Sequence, residues 1–265
     1  MTDLVKEPSV LIYGTGVIGG GIAKILSQTT NVILYNRNFA KAETLALSIG
    51  AVAQADKNEA LAGADIIILA VKPQDLLTAS HELKDRLKKE QILISVVTGA
   101  NLEQLKSYFG SPKIIRAMLN LPALYSHGTI GLVSHEGVNA SDQKKAESLF
   151  QKMGHVLWLS EGKLDAFTAL SGSGPAFILI FYEAMIDAAI ALGIPVDLGK
   201  QIAAETLSGT AEMIKQSQEH PGTLRWKISS PGGCTIAGTK HLEDESFRSA
   251  VINTFLATHD RIKEF

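Results

Sequence analysis

Between residues 9 and about 120, short apolar stretches alternate with segments whose apolar residues recur every three or four positions. Ser9–Tyr13, Val32–Asn36, Asp65–Val71, Ile92–Val97 and Lys113–Met118 are rich in Val, Ile and Leu and are bounded by Gly, Pro or Asn. Continuous apolar runs of this length suit strands covered on both faces, as in a parallel sheet. Gly20–Gln28, Ala40–Ile49 and Leu76–Lys88 carry the helical spacing instead. Strand and helix in repeated alternation predict a doubly wound α/β domain.

The pattern changes after about residue 160. Asp165–Leu192 is apolar nearly all round, with its acids Glu183 and Asp187 four apart on one face. Such a helix is expected to be buried, and a chain of this size covers it poorly with one small domain. Pro195 opens a second helix through about Gln216, and Ser246–Lys263 makes another. No strand pattern follows residue 160, so the expected organisation is an α/β domain over 1–160 and an all-α domain over 161–265. Helices this apolar argue for a homodimer or a higher oligomer built on them.

Composition narrows the classes. With 46% hydrophobic and 20% charged residues, the 265-residue chain reads as an ordinary globular protein. Its net charge of −2, with no Lys/Arg run beyond two residues, gives a polyanion nothing to bind, so nucleic acid is not an expected partner. Cys234 is the one cysteine, which excludes an intramolecular disulfide and fits a reducing, cytoplasmic setting. Seven scattered histidines without an H-x-x-x-H pair suggest no metal. Met1–Pro8 carries Asp3 and Glu7 and lacks the apolar core of a signal peptide. The membrane-like stretch Ala176–Leu192 is short and interrupted by acids, so a core helix is expected rather than a span.

Candidate chemistry begins at Gly14-Thr15-Gly16-Val17-Ile18-Gly19, directly after the first strand and opening a helix. In such a fingerprint the first glycine permits a tight turn, the second lets backbone approach a pyrophosphate, and the third lets helix pack on strand. The amides at the helix start then bind the anion. This placement makes the α/β domain Rossmann-type. The acid that holds the ribose 2′-hydroxyl in NAD sites is missing, because the second strand ends in Asn36-Arg37-Asn38. Arg37 can pair with a 2′-phosphate, so NADPH is the expected cofactor, with NADH weaker. Ala70-Val71-Lys72-Pro73, at another strand exit, and Thr98, after the Ile92–Val97 run, complete the expected dinucleotide contacts.

Three segments of the second half are more particular: Leu170-Ser171-Gly172-Ser173-Gly174-Pro175-Ala176; His220-Pro221 followed by Leu224-Arg225; and Ser229-Ser230-Pro231-Gly232-Gly233-Cys234-Thr235-Ile236-Ala237-Gly238. Together with Phe247-Arg248, they resemble the signature of pyrroline-5-carboxylate reductases over nearly the whole chain. Physically, Pro231 stiffens the loop, Gly232 and Gly233 admit a ligand close to backbone, and a helix starting near Thr235 would offer amides to a carboxylate. A plain Pro-Gly turn with Thr235 as helix cap is the other reading of those residues. The resemblance implies that Thr235 hydrogen-bonds the substrate nitrogen as the catalytic residue and that Ser230 helps hold the carboxylate. It also places Gly232, Gly233, Cys234 and Glu161 near the ligands, with Cys234 at a variable position and no nucleophile. At Met118-Leu119-Asn120-Leu121-Pro122 the chain departs from the family, which commonly has Pro and Thr where Leu119 and Leu121 stand.

The implied reaction is NADPH-dependent reduction of Δ1-pyrroline-5-carboxylate to L-proline, in a homo-oligomer dimerised through the C-terminal helices or assembled further into a decamer. One alternative is an oxidoreductase of the β-hydroxyacid dehydrogenase type, which needs a Lys general base that Ala176–Leu192 does not contain. The other is a non-catalytic NADP-binding regulator of the same fold, against which the Ser230–Thr235 loop argues.

Overall fold

The computed structural model describes residues 8–110 and 113–264. The reading of Met1–Pro8 therefore falls, except for Pro8, outside the described residues. Contacts divide the chain into one unit ending at Gly172 and a second running Ser173–Glu264.

The first unit runs β1 (Val10–Tyr13), α1 (Val17–Leu26), β2 (Val32–Tyr35), α2 (Phe39–Ile49), β3 (Val52–Ala53), α3 (Lys57–Ala62), β4 (Ile66–Leu69) and α4 (Leu76–Leu83). It continues with β5 (Ile92–Ser95), α5 (Leu102–Phe109), β6 (Ile114–Leu119), β7 (Gly128–Ser134), α6 (Ala140–Gln151), β8 (Gly154–Trp158) and α7 (Leu164–Phe167). The strands form one sheet in the order β3-β2-β1-β4-β5-β6-β7-β8. Pairing is parallel as far as β6, antiparallel between β6 and β7, and parallel again between β7 and β8.

Alternate residues of the central strands feed two cores. Val10, Ile12, Val32, Leu34, Ile66 and Ile68 lie on one face, and Leu11, Ile33, Ile67, Leu69 and Leu93 on the other. Covered on both sides, β1, β4 and β5 bury every residue, which is why they read as unbroken apolar runs. Each such side chain contributes about 1.5–3 kcal/mol of transfer free energy. The connectivity reverses direction at β1, which lies between β2 and β4, and the crevice beyond the carboxyl ends of those strands is where an open α/β sheet binds ligands.

The second unit contains α8 (Gly174–Ala191), α9 (Val196–Gln216), α10 (Pro221–Ile228), α11 (Cys234–Asp244) and α12 (Phe247–Ile262), with no strand among its described residues. The single helix expected over Asp165–Leu192 is instead broken: α7 passes into a π-helical turn at Thr168–Gly172, and Ser173 bends before α8. The expected burial of this helix is not met within one chain. Only Gly174 of α8 is buried, while Ile178 and Ile180 are 57% and 65% exposed. Across the whole unit the buried described residues are Gly174, Gly199, Ala203 and Leu224. One run, Glu161–Ala191, is long and apolar enough to cross a membrane by length and composition. It is not one regular helix, since 3-10, α and π turns and a bend follow one another along it.

Candidate functional site

The glycine fingerprint is built into a tight corner between β1, α1 and the exit of β4. Gly14 has φ +107°, and a Cβ there would meet the Ala70 carbonyl oxygen at 2.6 Å. A Cβ on Gly19 would stand 2.0 Å from the Gly14 oxygen and 2.9 Å from the Ala70 Cβ. These two glycines are therefore required by packing and backbone conformation. Gly16 differs: it is the N-cap of α1, and nothing lies within 4 Å of where its Cβ would be. No side chain caps α1 and no acid sits in its first turn, so the opening amides face the crevice without a protein anion.

The crevice is a cavity of about 410 Å³ lined by Gly14, Thr15, Gly16, Asn36, Arg37, Ala70, Val71 and Lys72 among the expected contacts. The Asn36 amide donates to Thr15 Oγ1 at 2.6 Å, and its oxygen accepts from the Asn38 amide at 3.0 Å. Asn36 thus ties the glycine loop to the β2 exit. Val17, Ile18, Gly19, Asn38, Pro73 and Thr98 do not line this cavity. Val17 opens α1, Ile18 packs against one core, Asn38 is the N-cap of α2, Pro73 starts the 3-10 turn that ends at Asp75, and Thr98 is exposed in a turn after β5.

Sequence reasoning missed the floor of the crevice. Tyr13 and Tyr35 end adjacent strands in register and stack, with ring centroids 4.8 Å apart. The Tyr13 hydroxyl donates to Glu82, which also pairs with Lys57 at 3.1 Å. Burial, then the Glu82 hydrogen bond, pushes the Tyr13 phenol well above its usual range. Burial alone would raise the Glu82 carboxyl, but hydrogen bonds from Tyr13 and Lys57 with the Lys57 and Arg86 charges outweigh it and hold the group below the usual carboxylate range. Lys41 and Asp75 also line the cavity, and Asp75 lies 3.5 Å from Arg37. An aromatic residue at the same register of two neighbouring strands was the only sequence signal for this floor.

In the second unit, Ser230-Pro231-Gly232-Gly233 forms a turn closed by the Gly233 amide on the Ser230 oxygen at 3.0 Å. Gly232 has φ +69°, and Pro at the second turn position with a left-handed glycine at the third is the pattern of a type II turn. Gly233 then caps α11 without a side-chain bond, so Thr235 lies inside the helix as its second residue and is not the cap. Ser230 and Cys234 are exposed and Thr235 half-buried. Among the described residues, neither the Ser230 nor the Thr235 hydroxyl has a hydrogen-bond partner within the chain. The turn presents two unengaged hydroxyls beside uncapped helix amides, which together can accept a small ligand's carboxylate and satisfy one neighbouring nitrogen.

The remaining motif residues have structural partners. Glu161 pairs with Arg116, which is buried, and accepts from the Leu102 amide at 3.0 Å, so it ties its segment to β6 and α5. Asn120 accepts from the Thr129 amide at 3.0 Å and donates to Ser171 at 3.3 Å. Leu119 is buried in β6, whereas Leu121 is 55% exposed beside Val17 and Tyr125. His220 Nδ1 accepts from the Gly222 amide at the start of α10. Arg225 and Arg248 converge on Glu243, at 3.8 and 2.7 Å. Among the described residues no group of three or more His, Cys, Asp or Glu side chains is placed to hold a metal ion.

Comparison with known proteins matches both units. Residues 161–265 fit the family model for pyrroline-5-carboxylate reductase dimerisation, and residues 9–99 fit one described as NADP oxidoreductase, coenzyme F420-dependent. A pyrroline-5-carboxylate reductase of Synechocystis is 33% identical over 94% of this chain and 97% of its own length. This chain belongs to the pyrroline-5-carboxylate reductase family. The solved pyrroline-5-carboxylate reductase of Coxiella burnetii superposes with a TM-score of 0.90 at 30% identity, covering 97% of this chain and 98% of its own. The Plasmodium falciparum pyrroline carboxylate reductase, solved with NADP bound, gives 0.87 at 29% identity, covering 98% of each chain. The family's fold, a Rossmann-type α/β unit followed by a helical one, is the fold of this protein.

Proposed function

We propose that this protein reduces Δ1-pyrroline-5-carboxylate to L-proline with NADPH, in the cytoplasm and as a homo-oligomer. The observation that carries the reading is the family match over residues 161–265, because a Rossmann-type unit alone is shared by many chemistries. The division of labour we propose assigns the dinucleotide to 1–160 and the substrate and dimer contacts to 161–265.

The first unit suits a nicotinamide dinucleotide. Gly16 leaves open space where backbone would approach the pyrophosphate, and the uncapped amides opening α1 supply the positive end of a helix dipole. Arg37, with Lys41 beside it in the same cavity, favours a 2′-phosphate over a bare hydroxyl, so NADPH is preferred to NADH. Ala70, Val71 and Lys72 close the opposite wall. When bound, the reduced nicotinamide supplies the hydride.

Reduction of a C=N bond adds a hydride to carbon and a proton to nitrogen. A protonated imine is already electrophilic, so the protein's task is orientation and charge complementarity. The Ser230 hydroxyl and the amides at Cys234 and Thr235 hold the substrate carboxylate, with Gly232 and Gly233 allowing close approach. The Thr235 hydroxyl hydrogen-bonds the ring nitrogen; it is too weak an acid to protonate that nitrogen unaided, so the proton comes through water. Glu161 acts through Arg116 and the α5 amide as a tether for its segment.

The exposed apolar faces of α8, α9 and α12 are read as subunit contacts, which agrees with the dimerisation model over the same residues. A dimer through these helices, or a decamer built from such dimers, completes their burial. The test is NADPH oxidation with pyrroline-5-carboxylate, set against oxidation of 2-hydroxy and 3-hydroxy acids with NADP. Turnover with the imino acid alone is expected; turnover confined to a hydroxy acid overturns the assignment.

A further inference from the structure

No acid stands at the end of β2, but one reaches the crevice from another strand exit. Asp75 follows β4 by six residues and reaches the same cavity as Arg37, with its carboxylate 3.5 Å from the guanidinium. Its position is well defined: Pro73 opens the 3-10 turn Pro73–Asp75, and the Asp75 amide bonds the Lys72 oxygen at 2.9 Å. Asp75 ends that turn with helical backbone, φ −91° and ψ −3°, directly before α4, and its side chain makes no capping bond to the helix. The carboxylate pairs across the crevice instead. The other acid lining the cavity, Glu82, is already engaged by Tyr13 and Lys57.

We propose that Asp75 is a cofactor-selectivity residue that narrows the preference for NADPH and lets the enzyme use NADH as well. This rests on the reading that the adenosine ribose of the dinucleotide lies in this crevice. With NADPH, Asp75 competes for Arg37 and repels the 2′-phosphate. With NADH, it accepts a hydrogen bond from the ribose hydroxyl, as the acid at the end of the second strand does in NAD sites. Discrimination is a difference of two affinities, and one carboxylate acts on both with opposite sign.

The test is the dissociation constant of NADPH and of NADH, each titrated into the full-length protein without substrate and followed by calorimetry. Asp75→Asn is nearly isosteric and removes no cap bond; Asp75→Ser serves as a second variant that keeps a side-chain oxygen. For both, NADPH is expected to bind about 3–10-fold tighter and NADH equally or more weakly, widening the ratio by roughly tenfold. An unchanged ratio in both variants overturns the proposal. Arg37→Ala separates the two layers of the argument. If it weakens NADPH but not NADH while the Asp75 variants change nothing, the crevice reading survives and Asp75 has no role in selectivity. If it weakens neither, the crevice does not hold the 2′-phosphate, and the reading and the proposal fail together.

Discussion

At the residue scale, the three fingerprint glycines do different work, and substitution can separate them. Alanine at Gly14 must adopt φ +107° and press on the Ala70 carbonyl, so Gly14→Ala is expected to lose about 2 kcal/mol or more of stability. Gly16 has φ −72° and open space at Cβ, so Gly16→Ala should melt like the wild type yet bind NADPH at least about tenfold more weakly. Thermal melts and cofactor titration on the pair check this; a Gly16→Ala protein with unchanged affinity would remove that glycine from the pyrophosphate site. Thr235 invites a similar separation. Because Gly233 and not Thr235 caps α11, Thr235→Ala should leave the melting temperature nearly unchanged while lowering turnover about tenfold at unaltered NADPH affinity. Thr235→Ser should retain most activity, and full turnover in the alanine variant would leave Thr235 without a catalytic part. The glycine loop and the Ser230–Thr235 turn were readable because each is a contiguous motif. Tyr13, Glu82 and Asp75 were not, since β1, α4 and the turn after β4 meet only through the sheet order.

At the scale of elements, what the chain revealed depended on how each strand is buried. The five apolar runs became β1, β2, β4, β5 and β6 within a residue or two of each end. β3 has only Val52 and Ala53 and carries no period, and β7 contains glycines that ordinarily argue against a strand. Gly131 answers to a contact from a distant segment, since a Cβ there would meet the Phe167 ring at 2.9 Å; Gly154, which opens β8, likewise lies where a Cβ would meet the Gly128 oxygen at 2.1 Å. Close approach of that kind is invisible in a single sequence. In α8 the hydrophobic residues were legible, but what completes their burial was not, because among the described residues α9 and α12 cover them only in part. The expected outcome for Ile180→Lys follows. If the face meets a second subunit, a charge there is left unpaired and costs about 3–5 kcal/mol at the interface, dissociating the oligomer or preventing folding. Sedimentation at graded concentration reads this directly. A wild type that stays monomeric and stable when dilute would contradict the subunit-face reading.

At the scale of the whole molecule, the two units differ in how they are stabilised. The first has a double-faced core around its sheet; the second buries Gly174, Gly199, Ala203 and Leu224 among its described residues, too little for about ninety residues to offset their conformational entropy. On the proposed subunit contacts, association completes the burial of its helices and couples folding to assembly. The central claim concerns the chemistry that this architecture serves, and isotope transfer tests it most directly. Incubating the protein with pyrroline-5-carboxylate and NADPH bearing deuterium at both C4 positions should yield proline with one deuterium, on the ring carbon that was doubly bonded to nitrogen. Absence of proline, or proline formed without label at that carbon, would contradict the account.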